Sequence, residues 1–110
     1  MVIVELMMRA LPGKRIEILQ TLMSRIDAIR QGKGCLSYNI YQSIEDENVF
    51  CLIKNWESRE DLENHMRSDS FKVLLGLKFL LENERQEIQV HTISDTEGKE
   101  IVSAIRGNRI

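Results

Sequence analysis

The strongest constraint on this chain is a strand-forming run that is apolar on both sides. In Val49–Trp56, Phe50, Leu52 and Trp56 fall on one face together with Lys54, while Val49, Cys51, Ile53 and Asn55 fall on the other. An antiparallel strand with one face in water alternates apolar and polar residues. This one does not, so both faces need cover. The chain's own helices can supply one layer. The other face calls for a second copy, and a homodimer is expected.

The neighbouring segments fit around that strand. Cys35 to Ser43 is rich in Leu, Tyr and Ile and reads as the outgoing arm of a hairpin, with Ile44 to Asn48 as an acidic turn. Val2 to Arg9 begins apolar and β-branched and reads as a first strand, followed by the Pro12-Gly13 punctuation. Ile16, Leu19, Leu22, Met23, Ile26 and Ile29 recur at helical spacing, and Gly32 suits the end of that helix. Ser58 is placed to cap a second helix, with Glu60 and Asp61 in its first turn where negative charge suits the dipole. Ser68 and Asp69 restart a helix that is apolar nearly all round from Phe71 to Leu81, which predicts burial on most sides. Arg85 to Ile93 alternates as a last strand. The order β-α-β-β-α-β, with the second helix broken, is the split βαβ or ferredoxin-like arrangement: an α+β fold with a four-stranded antiparallel sheet and helices on one face. Residues 1–94 form this domain and residues 95–110 a C-terminal extension. Lys99 to Ile105 reads as an extra strand reaching across a partner, with a short helix carrying Ile101, Val102 and Ile105 on one face as the alternative.

Bulk properties narrow the function classes. A chain of 110 residues is one domain, and 43% hydrophobic with 29% charged is ordinary for a globular protein. A net charge of -2 with scattered basic residues gives no basic stripe for nucleic acid. No apolar run approaches the roughly 20 residues needed to span a bilayer, and no secretory leader is apparent, so a cytoplasmic location is expected. If the hairpin turn centres on Asp46, Tyr41 faces Cys51 and Leu36 faces Trp56. Cys35 and Cys51 then lie roughly 15–20 Å apart at about 3.3 Å per residue, beyond the about 7 Å that a disulfide spans. Two reduced, mostly buried thiols are expected. His65 and His91, without clustered thiolates, make no metal-site pattern.

The run Gly34-Cys35-Leu36-Ser37-Tyr38, the acidic turn, Phe50, Trp56-Glu57-Ser58, Leu62, His65 and Ser68-Asp69-Ser70-Phe71 resembles the antibiotic biosynthesis monooxygenase family. The resemblance in order and punctuation extends over residues 1–93. It implies a dimeric α+β barrel built from two ferredoxin-like subunits, each with a cavity between sheet and helices. Members that are enzymes oxidise phenols, quinols or anthrones with molecular oxygen and neither metal nor flavin, so no cofactor is expected. An electron-rich phenolate can itself give an electron to oxygen. The protein then supplies an apolar pocket, a hydrogen-bonding group for the oxyanion and exclusion of water. Two departures narrow the reading. Anthrone-oxidising members carry an asparagine four residues before the tryptophan, where this chain has Leu52. In the haem-degrading branch, the iron-ligating histidine would fall at Leu75 and the first-strand asparagine near Leu6. Neither leucine can fill those roles, so haem degradation is not expected.

His65 is the candidate catalytic residue, as proton acceptor or oxyanion partner, because an ordinary imidazole titrates near about 6.5. Its bland alternative is a packed helix histidine bonded to a backbone carbonyl. Trp56, Asn55, Tyr38 and Arg9 are candidate substrate-binding residues. Trp56 is either a pocket wall or a core indole. Tyr38 and Tyr41 lie on opposite faces, so one hydroxyl can address a ligand while the other packs at the dimer seam. Asn55 either anchors a substrate oxygen or bridges strand ends, and Arg9 either holds an anionic group or is solvated. The chain thus reads as a cofactor-independent monooxygenase for a small aromatic quinol or phenol. A non-catalytic module of the same fold, binding a small apolar or aromatic ligand or serving assembly, is the alternative.

Overall fold

The computed structural model describes residues 1–107. Four strands, β1 (Val2–Ala10), β2 (Cys35–Gln42), β3 (Val49–Trp56) and β4 (Leu81–Thr92), form one sheet in the order β2-β3-β1-β4. All three pairings are antiparallel. This is the expected ferredoxin-like α+β fold. The hairpin register is also as expected at Tyr41↔Cys51. A bulge between Cys35 and Ser37 then brings Cys35, rather than Leu36, opposite Trp56 and turns it toward the helices. Both cysteines are free and only partly buried, which corrects the expectation of mostly buried thiols.

Helices α1 (Arg15–Ser24), α2 (Ile26–Arg30), α3 (Arg59–Met66) and α4 (Asp69–Gly76) cover one face of the sheet. The expected first helix is two helices, breaking at Arg25. Ser58 and Ser68 are the caps of α3 and α4, accepting from the Asp61 and Phe71 amides. The apolar run to Leu81 does not continue as α-helix. It ends at Gly76, tightens into a 3-10 turn (Leu77–Leu80) and enters β4 four residues before the expected start. Phe71, Leu74 and Leu77 are buried, but Leu75 and Phe79 remain exposed, so only one side of this segment is covered by its own chain.

The pleat sorts the sheet residues cleanly. Val2, Val4, Leu6, Met8 and Ala10 of β1 face the helices with Phe50, Leu52, Lys54 and Trp56 of β3 and Tyr38 of β2, and all are buried. The opposite, helix-free face carries Ile3, Met7, Val49, Cys51, Ile53 and Tyr41, interrupted by polar Glu5, Asn55 and His91. Under the helices the apolar core falls into two clusters. A large one contains Leu6, Phe50, Leu52 and Leu74, and a small one contains Val2, Val4, Trp56 and Leu62. Lys54 sits between Leu52 and Trp56, at the division.

The extension forms a fifth helix, α5 (Glu100–Arg106), and not the favoured strand. Ile101, Val102 and Ile105 have helical spacing, Glu100 and Arg106 suit the two ends, and Gly107 takes the left-handed conformation that closes a helix. The last three residues of the extension lie outside the described residues.

Candidate functional site

The junction where β3 passes into α3 is fastened from several sides. The Glu57 amide donates to the Gly34 carbonyl at 2.8 Å, tying the start of β2 to the end of β3. Gly34 has φ +78, and an added Cβ would collide with the Asp61 carboxylate, so only glycine fits. The Ser58 hydroxyl donates to Asp61 at 2.9 Å while accepting from the Asp61 amide. At the far end of α3, the Ser68 hydroxyl donates to the His65 carbonyl at 2.6 Å and accepts from Phe71. The same serine therefore ends one helix and starts the next, which holds His65 at a fixed corner.

His65 stacks on Trp56 with ring centroids 4.6 Å apart and planes inclined by 27°, and meets the edge of Phe71 at 5.5 Å. Its Nε2 lies 3.0 Å from the Lys54 ammonium. Lys54 is 1% exposed and His65 8%. The ammonium also lies 5.0 Å from the Phe71 ring centre and 5.7 Å from that of Tyr38, within cation–π range. Burial pushes Lys54 down to about 8. Burial, followed by the Lys54 charge, pushes His65 down to about 4. At neutral pH the imidazole is neutral and the amine largely an ammonium. Burial raises the Tyr38 hydroxyl and the Cys35 thiol above their ordinary ranges, so both stay protonated.

A cavity of about 180 Å³ opens beside this pair, lined by Trp56, His65, Asp61, Asn64, Ser68 and Gly32 among others. The Trp56 indole edge packs beside Gly32, where an added Cβ would meet it in ordinary contact. The Trp56 indole N–H and the Tyr38 hydroxyl are buried without a hydrogen-bond partner among the described residues. Unsatisfied buried donors are uncommon in native folds.

The structure thus brings two of the sequence candidates, Trp56 and His65, together at the cavity, places Tyr38 beside Lys54 but outside the cavity lining, and separates the other two from the site. Asn55 and Arg9 occupy alternate positions of β3 and β1 and so project from the helix-free face, with the sheet between them and His65. Arg9 pairs there with Asp46 and with Glu82 at 3.6 Å. Neither can line the cavity beside His65 in the same subunit, which corrects their grouping with it.

The sequence model of antibiotic biosynthesis monooxygenases matches residues 1–75. The chain belongs to the antibiotic biosynthesis monooxygenase family. Among similar proteins, the "Uncharacterized protein sll1783" of Synechocystis is 26% identical over 86 residues, and the match covers 78% of this chain but only 58% of that protein. The "Putative monooxygenase YcnE" of Bacillus subtilis is 22% identical over 72 residues, covering 66% of this chain and 76% of that one. A Deinococcus radiodurans structure described as a "putative antibiotic biosynthesis monooxygenase" matches with TM-score 0.80 at 20% identity, covering 89% of this chain and 97% of that one. At that identity the structural likeness speaks for the fold alone.

Within this antibiotic biosynthesis monooxygenase domain, the residue at the candidate site that sequence reasoning missed is Lys54. A signal for it existed. It is the one charged residue among the inward positions of β3, flanked by Leu52 and Trp56. A lysine on a buried face needs a partner, and His65 lies eleven residues further on.

Proposed function

We propose that this protein is a cofactor-independent monooxygenase that oxidises a small phenol or quinol with molecular oxygen, acting as a homodimer whose helix-free sheet faces pack together. The observation that carries this reading is the buried His65, stacked on Trp56 and backed by a cation at 3.0 Å, at the edge of a half-open cavity. A phenolate oxygen is stabilised by such a group far more strongly out of water than in it. The indole offers a flat wall to an aromatic ring. The cavity volume of about 180 Å³ is below the roughly 300–1,000 Å³ typical of pockets for drug-sized ligands. That favours a single ring over a tricyclic anthrone, in keeping with Leu52 in place of the anthrone-type asparagine.

The chemistry balances without an outside reductant. The bound phenolate gives one electron to oxygen, and the resulting radical pair joins at a ring carbon as a hydroperoxide. Loss of water then leaves a new ring carbonyl. One oxygen atom enters the product, the other leaves as water with two substrate hydrogens, and the substrate supplies all four electrons. His65 serves as oxyanion partner and Trp56 orients the ring.

Oxygen uptake with a panel of single-ring quinols and phenols, with anthrones for comparison, tests this. Uptake is expected with single-ring compounds, falling about 100-fold or more in His65→Ala. No uptake with any compound, alongside thermal stabilisation by the same compounds, would instead make the protein a binding module.

A further inference from the structure

We propose that Lys54 is a positioning residue: its ammonium donates to Nε2 of His65 and thereby fixes the imidazole as the neutral Nδ1–H tautomer, a hydrogen-bond donor and not a base toward a bound ligand oxygen. The phenolate identity of that oxygen rests on the monooxygenase reading above, whereas the tautomer does not.

The geometry leaves little choice. An ammonium has three donors and no acceptor. At 3.0 Å from Nε2, with both side chains buried, it can be satisfied only if Nε2 offers its lone pair. A neutral ring then carries its proton on Nδ1. Protonating the ring fully would place a second positive charge against Lys54, which both burial and charge oppose. The Phe71 and Tyr38 rings accept the remaining faces of the ammonium, and no carboxylate is bonded to it among the described residues. The other titratable and charged groups around the pair are Cys35 and Tyr38 on β2, Arg30 on α2, Lys33 in the turn that follows, and Asp61 on α3. His65 is therefore electrophilic at its free N–H. Such a group selects a ligand that arrives with its oxygen already ionised, or that loses its proton to water or another base. The acid limb of turnover should then follow the ligand's own ionisation.

The tautomer is read directly from ring-nitrogen chemical shifts in protein labelled with 15N-histidine. The chain has only two histidines, and His91 lies on the helix-free face as an internal comparison. In the ligand-free wild type, His65 is expected as Nδ1–H at pH 7 and still neutral near pH 5. In Lys54→Met, the proton should redistribute toward Nε2, and the ring should protonate at higher pH than in the wild type. A wild-type spectrum showing Nε2–H overturns the proposal without any variant, so it stands or falls even should Lys54→Met not fold. Unchanged ring shifts in a folded Lys54→Met overturn it equally. Because no substrate is present, this result is independent of whether oxygen uptake is found.

Discussion

Replacing Lys54 with methionine should stabilise the fold at neutral pH, and the gain should vanish in alkali. Lys54 is lowered from its ordinary 10.5 to about 8. At about 1.4 kcal/mol per pH unit, holding its charge in the fold costs about 3 kcal/mol near pH 7. Methionine has similar length and no charge to desolvate. It orphans His65 Nε2, which costs about 1 kcal/mol, and forfeits about 1 kcal/mol of cation–π attraction to Phe71 and Tyr38. The net is a gain of about 1 kcal/mol at pH 7. The sign of the pH dependence is fixed. With the folded value below the unfolded one, the unfolded chain binds more protons between about 8 and 10.5, so wild-type stability rises with pH across that window. Lys54→Met lacks this increment. The difference between the two proteins should therefore move by about 3 kcal/mol in favour of the wild type from pH 7 to 10.5. Urea unfolding at fixed protein concentration, followed by the single tryptophan, Trp56, measures it. A difference that stays constant over that range, or a variant markedly less stable at pH 7, would refute the description of Lys54 as a buried, energetically costly cation.

Two further outcomes follow from the framework around the site. Gly34→Ala should lose more than about 2 kcal/mol in the same unfolding assay, because it meets both a positive φ and the Asp61 carboxylate. Loss within a few tenths of a kcal/mol would mean that Asp61 yields freely and that the junction is not fixed. Ile53→Lys, at the middle of the helix-free face, should convert a sedimenting dimer into monomer at micromolar concentration without disturbing the Trp56–His65 stack. A dimer that survives this change places the subunit contact elsewhere.

The architecture was legible because it rests on signals that tertiary context rarely overrides. Strand alternation, serine caps at 58 and 68, and the acidic turn at Asp46 each fixed one element, and together they fixed the order. The errors lie where two local forces compete. At Lys99 to Ile105, β-branched residues favour a strand, but Ile101, Val102 and Ile105 share a helical face and Gly107 supplies a terminus. Between Met8 and Ala10, β4 carries extra residues opposite Arg9, with Asn83 at φ 57 and Glu84 at φ 51. Nothing in the run Glu82-Asn83-Glu84-Arg85 distinguishes such an excursion from a loop before the strand. Leu75 and Phe79 were expected inside because their helix is apolar all round. They lie outside, as do Ile88, 40% exposed, and Val90, 38% exposed, on the helix-side face of β4, so the chain's own helices leave this edge uncovered.

The site was half visible for a single reason. Sequence inspection ranks residues by their own chemistry, so an imidazole and an indole stand out. Lys54 has nothing unusual about it except position, and position becomes informative only when strand alternation is applied to polar residues as strictly as to apolar ones. The same alternation that removes Asn55 and Arg9 from the cavity puts Lys54 inside, between two apolar clusters that a leucine would join. A chain under selection for stability alone would place that leucine. A buried cation that costs about 3 kcal/mol supports the proposed role of this position, where stability and chemistry conflict. What the cation touches then decides what His65 can do. Its one polar partner among the described residues is Nε2, so under the proposed tautomer the histidine meets a ligand with a proton in place, and the reaction it suits is one in which negative charge has already formed on the ligand.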